Sequence, residues 1–230
     1  MAGLVLWDID HTLIATRGVG HELSAAAFLR TTGRVMRRQA KIDGITEAVI
    51  FRETAKLHGI DAGRADFERF ARALAEEHVK RAAELRERGQ ALPGAAAALD
   101  AIATMPDVTQ TVVSGNVRAV AEIKLKVFDL ARHIRWDLGA YGEENDVRAE
   151  LVRLALDRAS AAASDAVLIG DTPADIRAGH DNNVRVIAVA SGRSDEKKLR
   201  EEGADAVLPH LRDTDLVTKL VCDPPGRPHM

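Results

Sequence analysis

The 230-residue chain has a single cysteine, Cys222, so there is no partner for an intramolecular disulfide and no thiolate set for a structural zinc site. A reducing, cytoplasmic setting fits that content. Aromatic residues make up only 3% of the chain, and 32 lysines and arginines against 35 acids give a formal net charge of -3. A nucleic-acid partner usually requires a basic footprint interleaved with stacking rings, and the sequence carries neither. The run Arg34 to Lys41 is basic but short and free of aromatics, so it reads as a solvated helix face or loop. There is no stretch of about eighteen apolar residues. Leu4 to Trp7 runs straight into Asp8 and Asp10 instead of extending into an apolar leader. The expectation is a monomer or homodimer with no membrane span and no nucleic-acid partner.

What the chain does have is enough length and apolar content, 46%, to fill one sizeable α/β core and a smaller second one. Five short apolar runs read as buried strands: Leu4 to Ile9, Thr109 to Val113, Ile134 to Ala140, Ala166 to Ile169 and Val184 to Ala190. Helical segments at Val117 to Leu130, Val147 to Ala159 and Pro173 to Asp181 separate the last four. Strand and helix in alternation predict an α/β fold, a doubly wound parallel sheet. Ala206 to Leu208 suggests an additional edge strand.

From about residue 20 to 88 the period changes to that of helices. Leu23, Ala27 and Phe28 share one face, as do Phe67, Phe70, Ala71 and Leu74, and Gly33, Gly59 and Gly89 stand where helices should stop. These aromatics read as core. The division expected is a core of residues 1–15 and 93–222, a helical cap of residues 16–92, and a disordered tail from 223 to 230.

Three motifs carry chemistry, each at the end of an expected strand, the edge of an open α/β sheet where ligands bind. The first is Asp8-Ile9-Asp10-His11-Thr12-Leu13. Strand alternation points Asp8 and Asp10 the same way, and two carboxylates forced together need a cation or a shared proton. The second is Thr111-Val112-Val113-Ser114-Gly115-Asn116. It can be an ordinary helix N-cap, or a place where the Ser114 hydroxyl and the backbone N–H groups at the helix start hold phosphate oxygens. In the third, Val167 to Asp175, Asp171 ends a strand and Asp175 lies in the first turn of the next helix, with Pro173 suited to that turn. Three acids at one sheet edge offer the hard oxygen ligands that magnesium takes.

In this order and spacing the motifs resemble the haloacid dehalogenase superfamily, in particular its phosphatases with a helical cap inserted after the first motif. The resemblance spans nearly the whole chain and includes Leu92-Pro93-Gly94 at the return from the cap, which looks like the same segment in phosphoglycolate phosphatase-like members. It implies Asp8 as the nucleophile that forms an aspartyl-phosphate and Asp10 as general acid and base. It implies phosphate binding by Thr12 and Ser114 with the Ile9, Gly115 and Asn116 backbone around them. Magnesium would be held by the Asp8 carboxylate, the Asp10 backbone carbonyl and Asp171, with Asp175 in support. The substrate would be a small phosphorylated metabolite; a sugar phosphate, phosphoglycolate or a nucleotide are all compatible. The cap segment Lys41-Ile42-Asp43-Gly44 is the candidate for the loop that selects the leaving group, with Asp43 as its polar contact.

Two positions depart from the family pattern. His11 stands where glycine is common, so it is either a substrate contact or an exposed loop histidine. The cationic third motif, usually a lysine followed by proline, has no direct match. Arg148, in the first turn of its helix, is the favoured replacement, since a cation there opposes the helix dipole and needs another use. Its head group is expected at the open sheet edge, outside the packing. Lys124 is the alternate, placed mid-helix on a solvated or salt-bridged face about 10 Å of rise beyond the phosphate. Other functions compatible with the fold are a phosphomutase, a dehalogenase proper, which would lack Asp10, and a non-catalytic module, which would not need the full motif set.

Overall fold

The computed structural model describes residues 3–41 and 44–222. Strand β1 (Leu4–Trp7) leads through the two-residue β2 (Ile14–Ala15) into helices α1 (Val19–Thr32), α2 (Glu47–Leu57), α3 (Arg64–Lys80) and α4 (Ala82–Arg88). The chain leaves this insert through β3 (Gln90–Ala91), which pairs antiparallel with β2. There follow α5 (Ala95–Ala103), β4 (Thr109–Ser114), α6 (Arg118–Val127), β5 (Ala140–Tyr141), α7 (Arg148–Ala159), β6 (Ala166–Gly170), α8 (Pro173–His180), β7 (Arg185–Val189), α9 (Glu196–Glu201), β8 (Ala206–Leu208) and α10 (Thr214–Cys222).

The six longer-range strands form one parallel sheet in the order β5-β4-β1-β6-β7-β8. The order reverses about β1, as a doubly wound sheet requires. Alternation along the strands builds two apolar layers. Val5, Trp7, Val112, Ile169 and Ile187 face Leu99, Leu125 and Leu220 on one side, while Leu4, Leu6, Val113, Leu168 and Val186 face Leu151, Ile176 and Leu199 on the other. Within the first layer, Trp7 Nε1 donates to Gln110 Oε1 at 3.0 Å, and Gln110 Nε2 donates to the Leu99 carbonyl at 2.9 Å. Both polar groups are thus satisfied where an unpaired one would be costly.

The helical insert has its own core around Phe28, Phe51, Phe67 and Phe70, with Phe51 and Phe70 stacked at a centroid distance of 4.6 Å. Val117 and Val120, at the start of α6, pack into this same cluster. One helix of the sheet layer is therefore shared with the insert.

The sequence-based expectations hold for β1, β4, β6, β7 and β8 within two residues at either end. Ile134 to Ala140 is corrected: Ile134 makes only an isolated bridge to Gln110, and the strand proper is Ala140–Tyr141. Between them Arg135 and Asp137 form an exposed ion pair, which a buried parallel strand could not hold. The β2–β3 ribbon was not anticipated, because two residues per strand carry no periodicity. Arg34 to Lys41 is irregular, as a loop, and the expected tail lies outside the described residues. No described helix is long and apolar enough to cross a membrane.

The turn into α5 depends on Gly94. Its φ is +88°, and a Cβ there would sit 2.1 Å from the Leu211 backbone carbon. Gly94→Ala should cost about 2 kcal/mol from backbone strain and collision and lower the melting temperature by roughly 4–8 °C. Thermal denaturation followed by circular dichroism checks this, and an unchanged melting point would contradict it.

Candidate active site

Strand register brings the three motifs together. Trp7 pairs with Val112 on one side and Ile169 on the other, so Asp8, Ser114 and Asp171 all emerge within two residues of the same level. The Asp8 backbone N–H donates to the Ile169 carbonyl at 2.9 Å, which ties the first motif to the third. The convergence lines a cavity of about 170 Å³ between the sheet edge and the insert.

Asp8, Asp171 and Asp175 each offer a carboxylate oxygen within 4.8 Å of the others, and all three are buried. Burial pushes the Asp8 carboxyl up to about 7, with Arg148 opposing the rise and Asp175 adding to it. Burial, then repulsion from Asp8 and Asp175, pushes Asp171 up to about 9. Three crowded hard-oxygen donors short of positive charge are a set that fits a magnesium ion. The Thr12 hydroxyl lies 3.2 Å from Asp8 Oδ2 and 3.4 Å from Asp171 Oδ1, and its single proton can serve only one of them.

Asp175 has a different task from the other two. Its Oδ2 accepts from the Thr172 backbone N–H at 3.0 Å and from the Thr172 hydroxyl at 2.6 Å, closing a capping box at the start of α8. Its Oδ1 accepts from Arg148 Nε at 2.7 Å, while Arg148 Nη2 donates to Asp8 Oδ1 at 2.7 Å. Burial works against the Arg148 charge, but Asp175 and Asp8 outweigh it and hold the guanidinium more firmly protonated than usual. Arg148 is only 8% exposed, so its head group is packed inside the site, contrary to the expectation from sequence. The first turn of α7 presents it from beneath the sheet edge.

Asp10 is corrected in two respects. β1 ends at Trp7, so Asp8 and Asp10 follow the strand instead of sharing one of its faces, and Asp10 is not part of the three-acid cluster. Its carboxylate is turned to Lys124, whose Nζ donates to Oδ1 at 2.9 Å and Oδ2 at 2.7 Å, and Asn116 Nδ2 donates to Oδ2 at 2.7 Å. Partial burial raises the Asp10 pKa, but Lys124 and then Asn116 overcome that and hold it below the ordinary carboxylate value.

Of the two settings expected for Lys124, solvated or salt-bridged, the structure shows the second: it is 6% exposed and paired with Asp10, and what is corrected is its reach. The distance argument failed because side chains on a helix lean toward its N-terminus, so the four-carbon stem takes back the rise from Arg118. Nζ also donates to Asn116 Oδ1 at 2.7 Å, and Asn116 Nδ2 donates to Ser114 Oγ at 2.8 Å. The second motif and Lys124 form one network with Asp10.

His11 lines the cavity and adopts a left-handed backbone, φ 66°, the conformation a glycine would favour; its carbonyl accepts from Ser191 Oγ at 2.6 Å. Ile9 is fully buried beneath the loop, and Gly115 lines the cavity. Asp43 lies outside the described residues. The neighbouring segment is docked on the core, with the Glu47 N–H donating to the Gly115 carbonyl at 2.8 Å. Sequence reasoning passed over Glu47, His78 and Gly192. Gly192 is needed where a Cβ would meet Asp171 Oδ2 at 1.7 Å. His78 had a readable signal: it extends the apolar stripe of α3 by one turn from Leu74, so a polar ring sits on a buried face.

A parallel sheet with acids at its carboxyl edge and a helical insert beside them defines a class of α/β enzymes, and comparison with known proteins places the chain within it. The family model for haloacid dehalogenase-like hydrolases matches residues 5–180, and a second, described as HAD-hydrolase-like, matches residues 147–214. The chain belongs to the haloacid dehalogenase-like hydrolase family. Among solved structures, a hydrolase from Pseudomonas syringae superposes with a TM-score of 0.70 at 16% identity, covering 97% of this chain and 100% of that one. A β-phosphoglucomutase from Clostridium difficile gives 0.70 at 14%, covering 96% and 97%. A predicted phosphatase from Clostridium acetobutylicum gives 0.67 at 17%, covering 96% and 99%. At such identities these likenesses establish the fold. No curated protein matches the chain.

The raised carboxyls set a pH dependence with a definite sign. Unfolded aspartates ionise near pH ~4, whereas Asp8 and Asp171 keep their protons to about 7 and about 9. The folded state therefore binds more protons between those limits, and this contribution to stability is present in full below pH ~4 and lost as pH rises through them. In excess chelator, urea melts should show stability falling between pH ~5 and ~9, and Asp171→Asn should flatten the fall. A wild-type slope no steeper than that of the variant would refute the electrostatic account.

Proposed function

We propose that the protein is a magnesium-dependent phosphomonoester hydrolase that acts on a small phosphorylated metabolite, with Asp8 as nucleophile. The observation that carries this reading is the buried Asp8 carboxylate, held by Arg148 at 2.7 Å beside Asp171 and lining the cavity. A carboxylate fixed this way suits attack on phosphorus. Membership of a hydrolase family and the likeness to a solved phosphatase support the same conclusion.

In the proposed reaction an Asp8 oxygen bonds to phosphorus as the ester P–O bond breaks, and Asp10 gives its proton to the departing oxygen. Water then attacks the aspartyl-phosphate, Asp10 takes the water's proton, and the Asp8–phosphorus bond breaks to release phosphate. Thr12, Ser114 and the backbone N–H groups around Ile9, Gly115 and Asn116 would orient the phosphate oxygens. Asp8, Asp171 and the Asp10 carbonyl would hold a magnesium ion, supplying charge for the phosphoryl oxygens, while Asp175, occupied by Arg148 and Thr172, supports that group from behind. Lys124 and Asn116 keep Asp10 ionised while the cavity is free of substrate; an incoming phosphate gives Lys124 a second anion and raises the Asp10 pKa, so Asp10 takes up, from solvent or from the phosphate monoanion, the proton that it then passes to the departing oxygen. We propose that the insert between β2 and β3 serves as the cap that keeps bulk water from the intermediate.

Asp8→Asn, nearly isosteric, should keep the far-ultraviolet circular dichroism of the wild type while phosphate release falls below about a hundredth of the wild-type rate. Chelation should stop turnover, and magnesium but not calcium should restore it, because calcium favours a larger, looser ligand shell. Free phosphate should appear without any added sugar bisphosphate, which separates hydrolysis from a mutase reaction. Full activity in excess chelator would exclude the metal assignment.

Both cations should matter, though differently. Arg148→Ala and Lys124→Ala should each lower kcat by roughly a hundredfold, the scale of one positioned charge at a transferring phosphoryl group. Arg148→Ala should also lower the melting temperature, since it strands Asp8 and Asp175 beside each other. Near-normal kcat in Lys124→Ala would remove Lys124 from the site chemistry.

A further inference from the structure

The cavity has a second wall, formed by the insert, whose chemistry differs from that of the sheet edge. His78, from α3, lines it and is 2% exposed. Its Nδ1 lies 2.8 Å from the Leu74 carbonyl, one turn back on the same helix. A carbonyl only accepts, so Nδ1 carries the proton and donates. Nε2, on the opposite edge of the ring, has no hydrogen-bond partner. Burial, followed by repulsion from Lys124, pushes the ring's pKa down to about 4, so at neutral pH Nε2 is a bare lone pair. A buried acceptor without a donor is costly; the ring belongs to the cavity lining while Nε2 itself is covered, so a small turn of the ring would bring it within reach of a donor on a bound molecule.

The charges around it restrict that molecule further. Among the described residues lining the cavity, the insert contributes no lysine or arginine, and the only such cations, Lys124 and Arg148, come from the sheet side. Both are already engaged, Lys124 by Asp10 and Arg148 by Asp8 and Asp175. The insert does contribute a carboxyl group, Glu47. A leaving group bearing its own carboxylate or second phosphate would find no lysine or arginine on that wall, only the imidazoles of His21 and His78, and Glu47, whose carboxyl burial pushes up to about 7, would repel it once ionised. A hydroxyl would find an acceptor.

Resting on the hydrolase reading above, we infer that the substrate is a sugar or polyol monophosphate with an uncharged, hydroxyl-bearing leaving group, and that His78 Nε2 selects it by accepting a hydrogen bond from one of those hydroxyls. A site built to pair with a substrate hydroxyl rejects analogues lacking it far more strongly than an apolar pocket rejects an extra group.

The test is a kinetic panel on the full chain with magnesium: glucose 6-phosphate, ribose 5-phosphate and glycerol 3-phosphate as hydroxylated substrates, phosphoglycolate as the anionic one, and p-nitrophenyl phosphate, whose leaving group has no hydroxyl to donate in the ester. The wild type should favour its best hydroxylated substrate over phosphoglycolate by at least about tenfold in kcat/KM. The ratio of kcat/KM for that substrate to kcat/KM for p-nitrophenyl phosphate should fall by at least about tenfold in His78→Leu, which fills the space without an acceptor. His78→Gln, whose Oε1 reaches about where Nε2 lies, should recover part of the ratio, and melting curves on both variants confirm that they are folded. A preference for phosphoglycolate, or an unchanged ratio in His78→Leu, would overturn the inference and leave the hydrolase reading standing, the second outcome meaning that water serves Nε2. Absence of phosphate release from every substrate, p-nitrophenyl phosphate included, would overturn both.

Discussion

Repulsion among Asp8, Asp171 and Asp175 is the constraint around which the sheet edge is organised. The three acids are buried within 4.8 Å of one another, an arrangement that water cannot relieve and that only added positive charge or retained protons can make tolerable. The protein applies both remedies. Arg148 is inserted between Asp8 and Asp175, and Asp8 and Asp171 hold protons well above the ordinary carboxylate range. Packing follows from the same need, since the capping box at Thr172 and the close passage of Gly192 keep the acids from moving apart.

The two cations divide the site into halves with different electrostatics. On one side Arg148 serves the nucleophile; on the other Lys124 serves Asp10 through a network that includes Asn116 and Ser114. Neighbouring aspartates two residues apart thus have opposite shifts, Asp8 raised and Asp10 lowered. Opposed environments for adjacent carboxylates are a common way for one site to hold an attacking group and a proton carrier together.

Much of this was legible in the sequence, and the parts that were not share a cause. Strand-end acids and hydroxyls could be found because a buried parallel strand is a continuous apolar run and its end is marked by the first polar residue. Asp8, Ser114 and Asp171 therefore came directly from pattern. Side-chain reach is not encoded in a one-dimensional pattern, so Lys124 was placed by the rise of its Cα and not by where its amine lies. Arg148 was found because it stands where the family it resembles places a lysine, with its conflict with the helix dipole in support, yet its burial depended on Asp175, whose proximity to Asp8 is a matter of how α8 leaves β6. The segment Ile134 to Ala140 looked like a strand by composition, but its charged residues at Arg135 and Asp137 had no partner within a buried sheet. Glu47 and His78 belong to the insert and meet the motifs only in space.

Helix α6 has a consequence for how anything enters the cavity. Its first turns bury Val117 and Val120 in the aromatic cluster of the insert, while one turn further on the same helix sends Lys124 to Asp10. Lifting the insert as a rigid unit would wet those two valines and the phenylalanine faces above them, a loss that grows with every square ångström of apolar surface uncovered. With the insert in its proposed role as cap, access to the acids would therefore be opposed by an apolar contact that borders the charged site, since Val120 lines the cavity as well. The ease of admission would then be tuned by uncharged residues, and trimming Val120 would widen the doorway and the wall behind it together.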